Sequence, residues 1–450
     1  MADPLSVKNP LLVEETPRRR TTARDDMAAV RPKPRIDKQI WGIYILLVCI
    51  SIVELYSASS REISAGNIFG PIIRHIGLLG AGFLIMVGMQ RVHYNKIYKW
   101  TYVIVALSVI ATIYTMFFGT VINGTRRSFA LLGISVQPSE LIKLSAALLI
   151  ARVLSHSQIK GVNDVTTRGV VICAVAVLVF GLLLVNQGLT NTLLLMFISL
   201  SMMIIGGVGV RKFFTVIGIY AVLGCCYGGY KLLGGDDDGK AAVQTEQTTG
   251  IISGTNTGEV DRTSTRKNRI VNYFSDKLSE PITADNQQEQ YSYIAQANGG
   301  IFGVGPGNSR ETARLPLAFS DYIYAIIIED TGLVGGLFVM ILYLWLLARA
   351  GRIASQCQKA YPAFLVIGMA VFIVFQALFH MAIVTGFFPV SGQPLPLISK
   401  GGSSVIITSL ALGIMLSVSR FALRKGRRQE VRDELSTLTD LPQADNPTAL

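Results

Sequence analysis

A few short clusters of polar and ionisable residues interrupt an otherwise apolar chain, and their types suggest chemistry. Asn123-Gly-Thr-Arg-Arg-Ser-Phe129 carries paired arginines. The Arg127 guanidinium suits bidentate contact with a membrane-borne phosphate, although a surface arginine can also simply touch headgroups. Gln137-Pro-Ser-Glu140 follows, with Lys143 three residues further on. On a helix Glu140 and Lys143 share a face, so they form either a buried structural ion pair or a polar floor for a headgroup. Asp276, Glu280 and Asp285 stand between Phe274 and Asn286. A carboxylate at a membrane edge can act as general base on a hydroxyl, although most loop acids are merely solvated. Gly303-Val-Gly-Pro-Gly-Asn-Ser309 has no Walker lysine and reads as a tight turn rather than a nucleotide loop. Phe388-Pro-Val-Ser-Gly-Gln-Pro-Leu-Pro-Leu-Ile-Ser-Lys-Gly-Gly-Ser-Ser404 is Pro/Gly punctuation at membrane depth. Such backbone survives only where protein or a water-filled cavity covers it, which predicts a re-entrant segment. His380 and Glu54 read equally as satisfied buried groups or functional ones. Asp321, Glu329 and Asp330 are accounted for by capping and pairing at a helix start.

The elements that must hold these clusters are membrane helices. The 450 residues are 50% hydrophobic and only 16% charged, with mean hydropathy +0.46. That excludes a soluble enzyme with a single core and excludes general disorder. About ten apolar runs are expected to span: 40–57, 70–90, 99–118, 138–154, 169–186, 190–208, 213–233, 320–348, 361–385 and 402–421. The fold class is therefore an all-α polytopic membrane protein with a large extracytoplasmic loop, 234–319, between helices 7 and 8. Residues 1–38 and 422–450 read as cytoplasmic tails, the first disordered and not a signal peptide, around a membrane domain at 39–421.

The net charge of +12 comes from basic residues flanking spans, without nucleic-acid motifs, so nucleic-acid binding is set aside. Arg91, Lys96, Arg152, Lys160, Arg211, Lys212, Arg349 and Lys359 fall in loops on one side with both tails. The positive-inside rule places that side, and both termini, in the cytoplasm. The loops 119–137 and 386–401 then lie outside. The large loop opens Gly-Gly-Asp-Asp-Asp-Gly, and its second half, through a helix at Tyr291 to Phe302, is expected to be ordered. The five cysteines read as small buried hydrophobes, no internal repeat supports an inverted-repeat transporter, and no ligand cluster identifies a metal.

Taken together, these segments resemble the SEDS family (shape, elongation, division and sporulation) from about Ile40 to Phe421. The likeness rests on Asn123-Gly, Arg127, Gln137-Pro-Ser-Glu140 and Lys143, then Arg269-Ile and Phe274, then Gly303 to Ser309. It continues through Leu315-Pro, Ser320-Asp-Tyr-Ile-Tyr-Ala-Ile-Ile-Ile-Glu329 and Pro389 to Ser404. Gly-Pro-Gly-Asn-Ser and the long basic N-terminal tail look more like members acting in division than in elongation.

The resemblance implies a multi-pass inner-membrane peptidoglycan glycosyltransferase at the division septum. It would polymerise lipid II, the undecaprenyl-pyrophosphate disaccharide pentapeptide, by inverting transfer. Its implied partners are a class B penicillin-binding transpeptidase and other divisome membrane proteins. It implies Arg127, Gln137, Glu140, Lys143, Arg269, Gln288 and Ser403 as substrate contacts. A divalent cation bridging the pyrophosphate is compatible with this chemistry, but no cofactor is evident. The family's catalytic aspartate sits in an Asp-Pro context. Counting forward from Phe274 puts Glu280-Pro281 there, whereas counting back from Ser309 puts Gln288 on the motif's glutamine, one residue out of step; Asp285 retains the aspartate and lies nearest the Arg/Gln-rich membrane edge. Asp285 is taken first and Glu280 second. Asn186-Gln-Gly-Leu-Thr190 lacks the acid usual after span five, and His380 and Lys400 replace the family's common residues. The alternatives are a lipid II flippase using the same cations without bond formation, and a noncatalytic divisome scaffold.

Overall fold

The computed structural model describes residues 37–58, 69–122, 125–131, 134–159, 164–185, 187–234, 282, 286–315, 319–389 and 391–421. The tails, the first half of the large loop, Arg269, Glu280 and Asp285 lie outside the described residues. The helices are α1 Lys38–Ala58, α2 Phe69–Met89, α3 Tyr94–Phe118, α4 Pro138–Ser157, α5 Thr167–Val185, α6 Leu189–Ile205 and α7 Val210–Gly234. After the large loop come α8 Gln287–Gly299, α9 Ile323–Gln356, α10 Ala360–Val384 and α11 Gly402–Phe421. Among the described residues, seven helices are long and apolar enough to cross a membrane, and α6 is apolar but shorter. The polytopic helical fold expected from hydropathy is the fold observed.

Burial ranks the helices. Within their apolar windows α10 is 78% and α11 83% buried, against 22% for α3 and 28% for α2, so α10 and α11 form the centre. α4 packs against α10 despite its charged first turn, α9 packs on α10, and α2 lies along α11. Outward residues such as Trp100, Leu107 and Phe117 on α3 are large and apolar, as a lipid-facing surface requires.

Contacts sort the loops onto two faces. On the near face the start of α1 meets α9, where Asp37 accepts from Arg349 Nη2 (2.7 Å) and Nε (2.9 Å). The start of α3 meets the end of α11 through His93 and Phe421, whose ring centroids are 5.0 Å apart. Lys212 pairs with Asp164 there at 2.6 Å. The guanidinium of Arg152 lies 3.9 Å from the Tyr98 ring centroid and 4.1 Å from that of Tyr102. The far face carries the C-terminal ends of α1, α3, α5, α7 and α10.

Asp37 has separate work for each oxygen. Oδ1 accepts from the amides of Gln39 (3.0 Å) and Ile40 (3.3 Å), capping α1, while Oδ2 holds Arg349. Asp37→Ala should therefore cost about 2 kcal/mol, combining a lost cap and a lost charge-assisted pair. Thermal unfolding in detergent would show it, and Arg349→Ala should cost less because the cap survives.

The stretch 119–137, expected as a loop, is instead a three-stranded antiparallel sheet. It consists of β1 Thr120–Ile122, β2 Thr125–Leu131 and β3 Ile134–Val136, in the order β1-β2-β3. The signal was present: the dipeptide Asn123-Gly124, a sequence that favours two-residue hairpin turns, follows the β-branched Thr120-Val-Ile122. Cysteines also depart from expectation. Cys173 and Cys357 are buried, but Cys49, Cys225 and Cys226 are on exposed helix faces.

α9 begins three residues later than its hydropathy suggested, and it is broken at Gly332 (φ +73°, ψ −176°). The break removes the helical bonds from Leu333 and Val334 back to Glu329 and Asp330. Residues 300–305 replace both. Val304 N–H donates to the Glu329 carbonyl and Gly305 N–H to that of Asp330, each at 2.9 Å. Leu333 N–H donates to Gly300 O (3.0 Å) and Val334 N–H to Ile301 O (3.3 Å). The two chains approach so closely that a methyl on Gly303 would collide with the Asp330 carbonyl, and one on Gly332 with that of Ile301. Gly303 also has φ +79°, a second reason for glycine there.

Candidate functional site

The sheet positions the arginines. Successive strand residues face opposite ways, so Arg126 is exposed while Arg127 is half-buried. Arg126 Nη1 turns back to the carbonyls of Phe117 and Met116 at the C-terminal end of α3, where a cation is favoured. Arg127, on the opposite side of the strand, is near enough to Asp321 to act on its charge. Asp321, just before α9, accepts from Ser320 Oγ at 2.9 Å and sits against Gly392. Burial pushes its carboxyl above the usual range, while Ser320 and the nearby Arg127 oppose that shift.

The segment 391–401 is re-entrant as expected, and protein covers it. Ser51 Oγ donates to Ile398 O (3.1 Å) and Tyr343 OH to Pro396 O (2.5 Å). Gln376 Nε2 donates to Pro394 O at 3.4 Å. His380 Nδ1 lies 2.6 Å from Gln393 O, which gives this buried imidazole a structural partner. Leu397, at φ +66°, is the non-glycine residue with positive φ among the described residues. The segment ends on Lys400, whose amide donates to Phe319 O (2.9 Å) and whose Nζ lies 4.2 Å above the Phe319 ring. Ser399 Oγ donates to Ser320 O at 2.8 Å. Three residues on, Ser403 Oγ accepts from the Gln137 amide at 3.1 Å, fixing the start of α11 to the start of α4.

These bonds assemble one arc on the far face. Phe319 and Ser320 meet Ser399 and Lys400, Ser403 meets Gln137, and Arg127 is near enough to Asp321 to act on its charge. Pro138 occupies the first turn of α4, where its missing N–H costs nothing. Beneath it, Lys143 Nζ donates to Glu140 Oε1 at 2.6 Å, and the two side chains are 0% and 1% exposed. Glu140 Oε2 has no hydrogen-bond partner among the described residues. The structure thus brings Arg127, Gln137, Ser403 and the Glu140–Lys143 pair to one region, with the pair sealed inside the packing.

Gln288 is half-buried in the first turn of α8, on a different element. α8 packs on α9 and reaches α10, where Ser292 Oγ (3.1 Å) and Gln296 Nε2 (2.9 Å) donate to Val384 O. The sequence reading missed two members of the arc. Capping and pairing at a helix start account for Asp321 in the sequence, and Lys400 stands out there only as an unusual residue. A cation placed within a Pro/Gly run that must be buried was the available signal. Among the described residues, no group of three or more His, Cys, Asp or Glu side chains could hold a metal ion.

Comparison with known proteins bears on this arrangement. The sequence model of the family described as cell cycle protein, grouping FtsW, RodA and SpoVE, matches residues 37–424. The chain is 26% identical over 385 residues to stage V sporulation protein E of Bacillus subtilis (strain 168), covering 84% of this chain and 96% of that protein. It is 28% identical over 397 residues to the probable peptidoglycan glycosyltransferase FtsW of Geobacter sulfurreducens (strain DL-1 / KN400), covering 87% and 96%. The fold matches a chain of a peptidoglycan synthase complex that coordinates polymerization and crosslinking, with TM-score 0.63 and 23% identity, covering 86% and 98%. It also matches Thermus thermophilus rod shape determining protein RodA, with TM-score 0.56 and 21% identity over the same shares. At those identities the structural matches speak to the fold.

Proposed function

The chain belongs to the FtsW, RodA and SpoVE family of cell cycle proteins, the SEDS family, and from that membership we propose that it is a peptidoglycan glycosyltransferase polymerising lipid II. The observation that supports this reading most is the far-face arc. Arg127 and Lys400 lie on the face that the basic near-face loops assign to the outside, and α8, which Asp285 directly precedes in sequence, packs on α9 and reaches α10. A substrate with a lipid tail in the bilayer and a pyrophosphate at its surface would meet these cations without leaving the membrane.

The reaction needs few parts. A loop carboxylate, Asp285 or else Glu280, takes the proton of the acceptor sugar's 4-hydroxyl. The oxygen attacks C1 of the donor sugar as the C1–O bond to the lipid pyrophosphate breaks, inverting that carbon. Cations hold the charge developing on the leaving group. Arg127 and Arg269 supply the guanidinium contacts, and Gln137, Gln288 and Ser403 border the headgroup. Glu140 and Lys143 fix the start of α4 beneath it. A class B penicillin-binding transpeptidase would be the membrane partner, and the division septum the site of action.

Arg127→Ala should raise KM for lipid II about tenfold, with a smaller fall in kcat, because a charge-assisted bidentate contact to phosphate is lost. Arg127→Lys should recover only part of that loss, since an ammonium is a point charge. Steady-state polymerisation over a range of lipid II concentrations reads both. An unchanged KM would remove Arg127 from the headgroup site.

A further inference from the structure

Glu329 is fully buried immediately before the broken turn of α9. Its carboxylate does not cap its own helix. Oε2 accepts from Ser309 Oγ, and Oε1 accepts from the amides of Arg310 (3.0 Å) and Glu311 (3.4 Å). Ser309 in turn lies 2.6 Å from Thr312 Oγ1 and accepts from the Thr312 amide at 3.2 Å. The carboxylate therefore organises the turn 309–312 with a hydroxyl and two backbone amides. A neutral amide at this position keeps one acceptor oxygen and points its N–H₂ at a donor; an alkyl group leaves three donors unmet. A buried charge at membrane depth is costly to keep for packing alone.

The clamp closes a larger unit. Residues 300–305 already fill the break at Gly332, and Gly299 at the end of α8 abuts the Ile328 carbonyl so closely that a methyl would not fit. At its middle α8 is tied to Val384 O. Residues 299–311 are thus held to α9 and the middle of α8 to α10, and in sequence Asp285 immediately precedes Asn286, the N-cap of α8. We propose that Glu329 is a positioning residue for glycosyl transfer, holding the α8–Gly303–Ser309 unit in register so that the catalytic carboxylate meets its substrate. This rests on the polymerase reading above.

The test uses the full chain in nanodiscs with its transpeptidase, comparing wild type, Glu329→Gln, Ser309→Ala and the double variant. Hydrogen exchange is followed over 300–315, and kcat and KM are measured with lipid II. Glu329→Gln should speed exchange over 304–312 while α10 and α11 stay protected. It should lower kcat about tenfold or more with KM within about twofold, because misplacing a catalytic group acts on the chemical step. Ser309→Ala should show the same split at smaller size, and the double variant should be no worse than Glu329→Gln, since both act through one clamp. If Glu329→Gln does not fold, Ser309→Ala alone carries both measurements. Unchanged exchange, a loss seated in KM, or losses that multiply in the double variant would overturn the proposal. A wild type that makes no glycan would end the polymerase reading, while the exchange data would still decide whether Glu329 holds the loop.

Discussion

Asp285→Ala is expected to abolish glycan synthesis, lowering turnover by about 10²–10⁴-fold, the usual contribution of a general base. Asp285 lies outside the described residues, so the expectation rests on its neighbours. The next residue, Asn286, is the N-cap of α8, and α8 is fastened to α9 and α10 at several points. In sequence Asp285 directly precedes that fastened helix, and a base that must meet a hydroxyl is best served by such a neighbour. Because the substitution removes only a loop side chain, melting temperature and co-purification with the transpeptidase should not change. Polymer resolved on gels from Asp285→Ala, with Glu280→Ala beside it, reads the result. Full activity in the first and loss in the second would transfer the role to Glu280.

The second large effect is expected at the buried ion pair. Lys143→Met leaves the Glu140 carboxylate without its partner inside the packing of α4, α10 and α11, and should destabilise the protein by about 3–5 kcal/mol. The double replacement Glu140→Gln with Lys143→Met removes both charges and should recover most of that stability, because packed neutral groups avoid the desolvation cost. Thermal unfolding in detergent reads both. The pair also separates two roles. If it only fixes the first turn of α4, the double variant should retain KM for lipid II. A raised KM in a stable double variant would instead show that the pair contacts the headgroup.

Much of the architecture could be read from the sequence because hydropathy and loop charge are additive, local signals. The run at 402–421 matches α11 at both ends, and the basic loops fall together on the near face. The reading weakened where structure depends on distant pairing. Asn123-Gly124 signalled a hairpin, but β-strands of three to seven residues are short against the surrounding hydropathy, so a loop was expected. The break in α9 was hidden because Gly332 sits in an apolar run, and its missing bonds are supplied from residues 300–305. Glu329 looked like a local cap because its partners lie about twenty positions earlier and meet it only after the loop folds back. The re-entrant segment 391–401 was anticipated, since Pro and Gly at membrane depth demand cover. Nothing in its sequence showed that Ser51, Tyr343, Gln376 and His380 would supply that cover.

The central claim is that this chain joins sugars rather than moving lipids. The most direct measurement is lipid II polymerisation by the purified chain with its transpeptidase in nanodiscs, with products resolved on a gel. Glycan chains that grow with time, and are absent when Asp285 and Glu280 are both replaced by alanine, are the predicted result. No polymer from a folded wild-type complex, together with lipid II translocation by the same protein in vesicles, would contradict the claim.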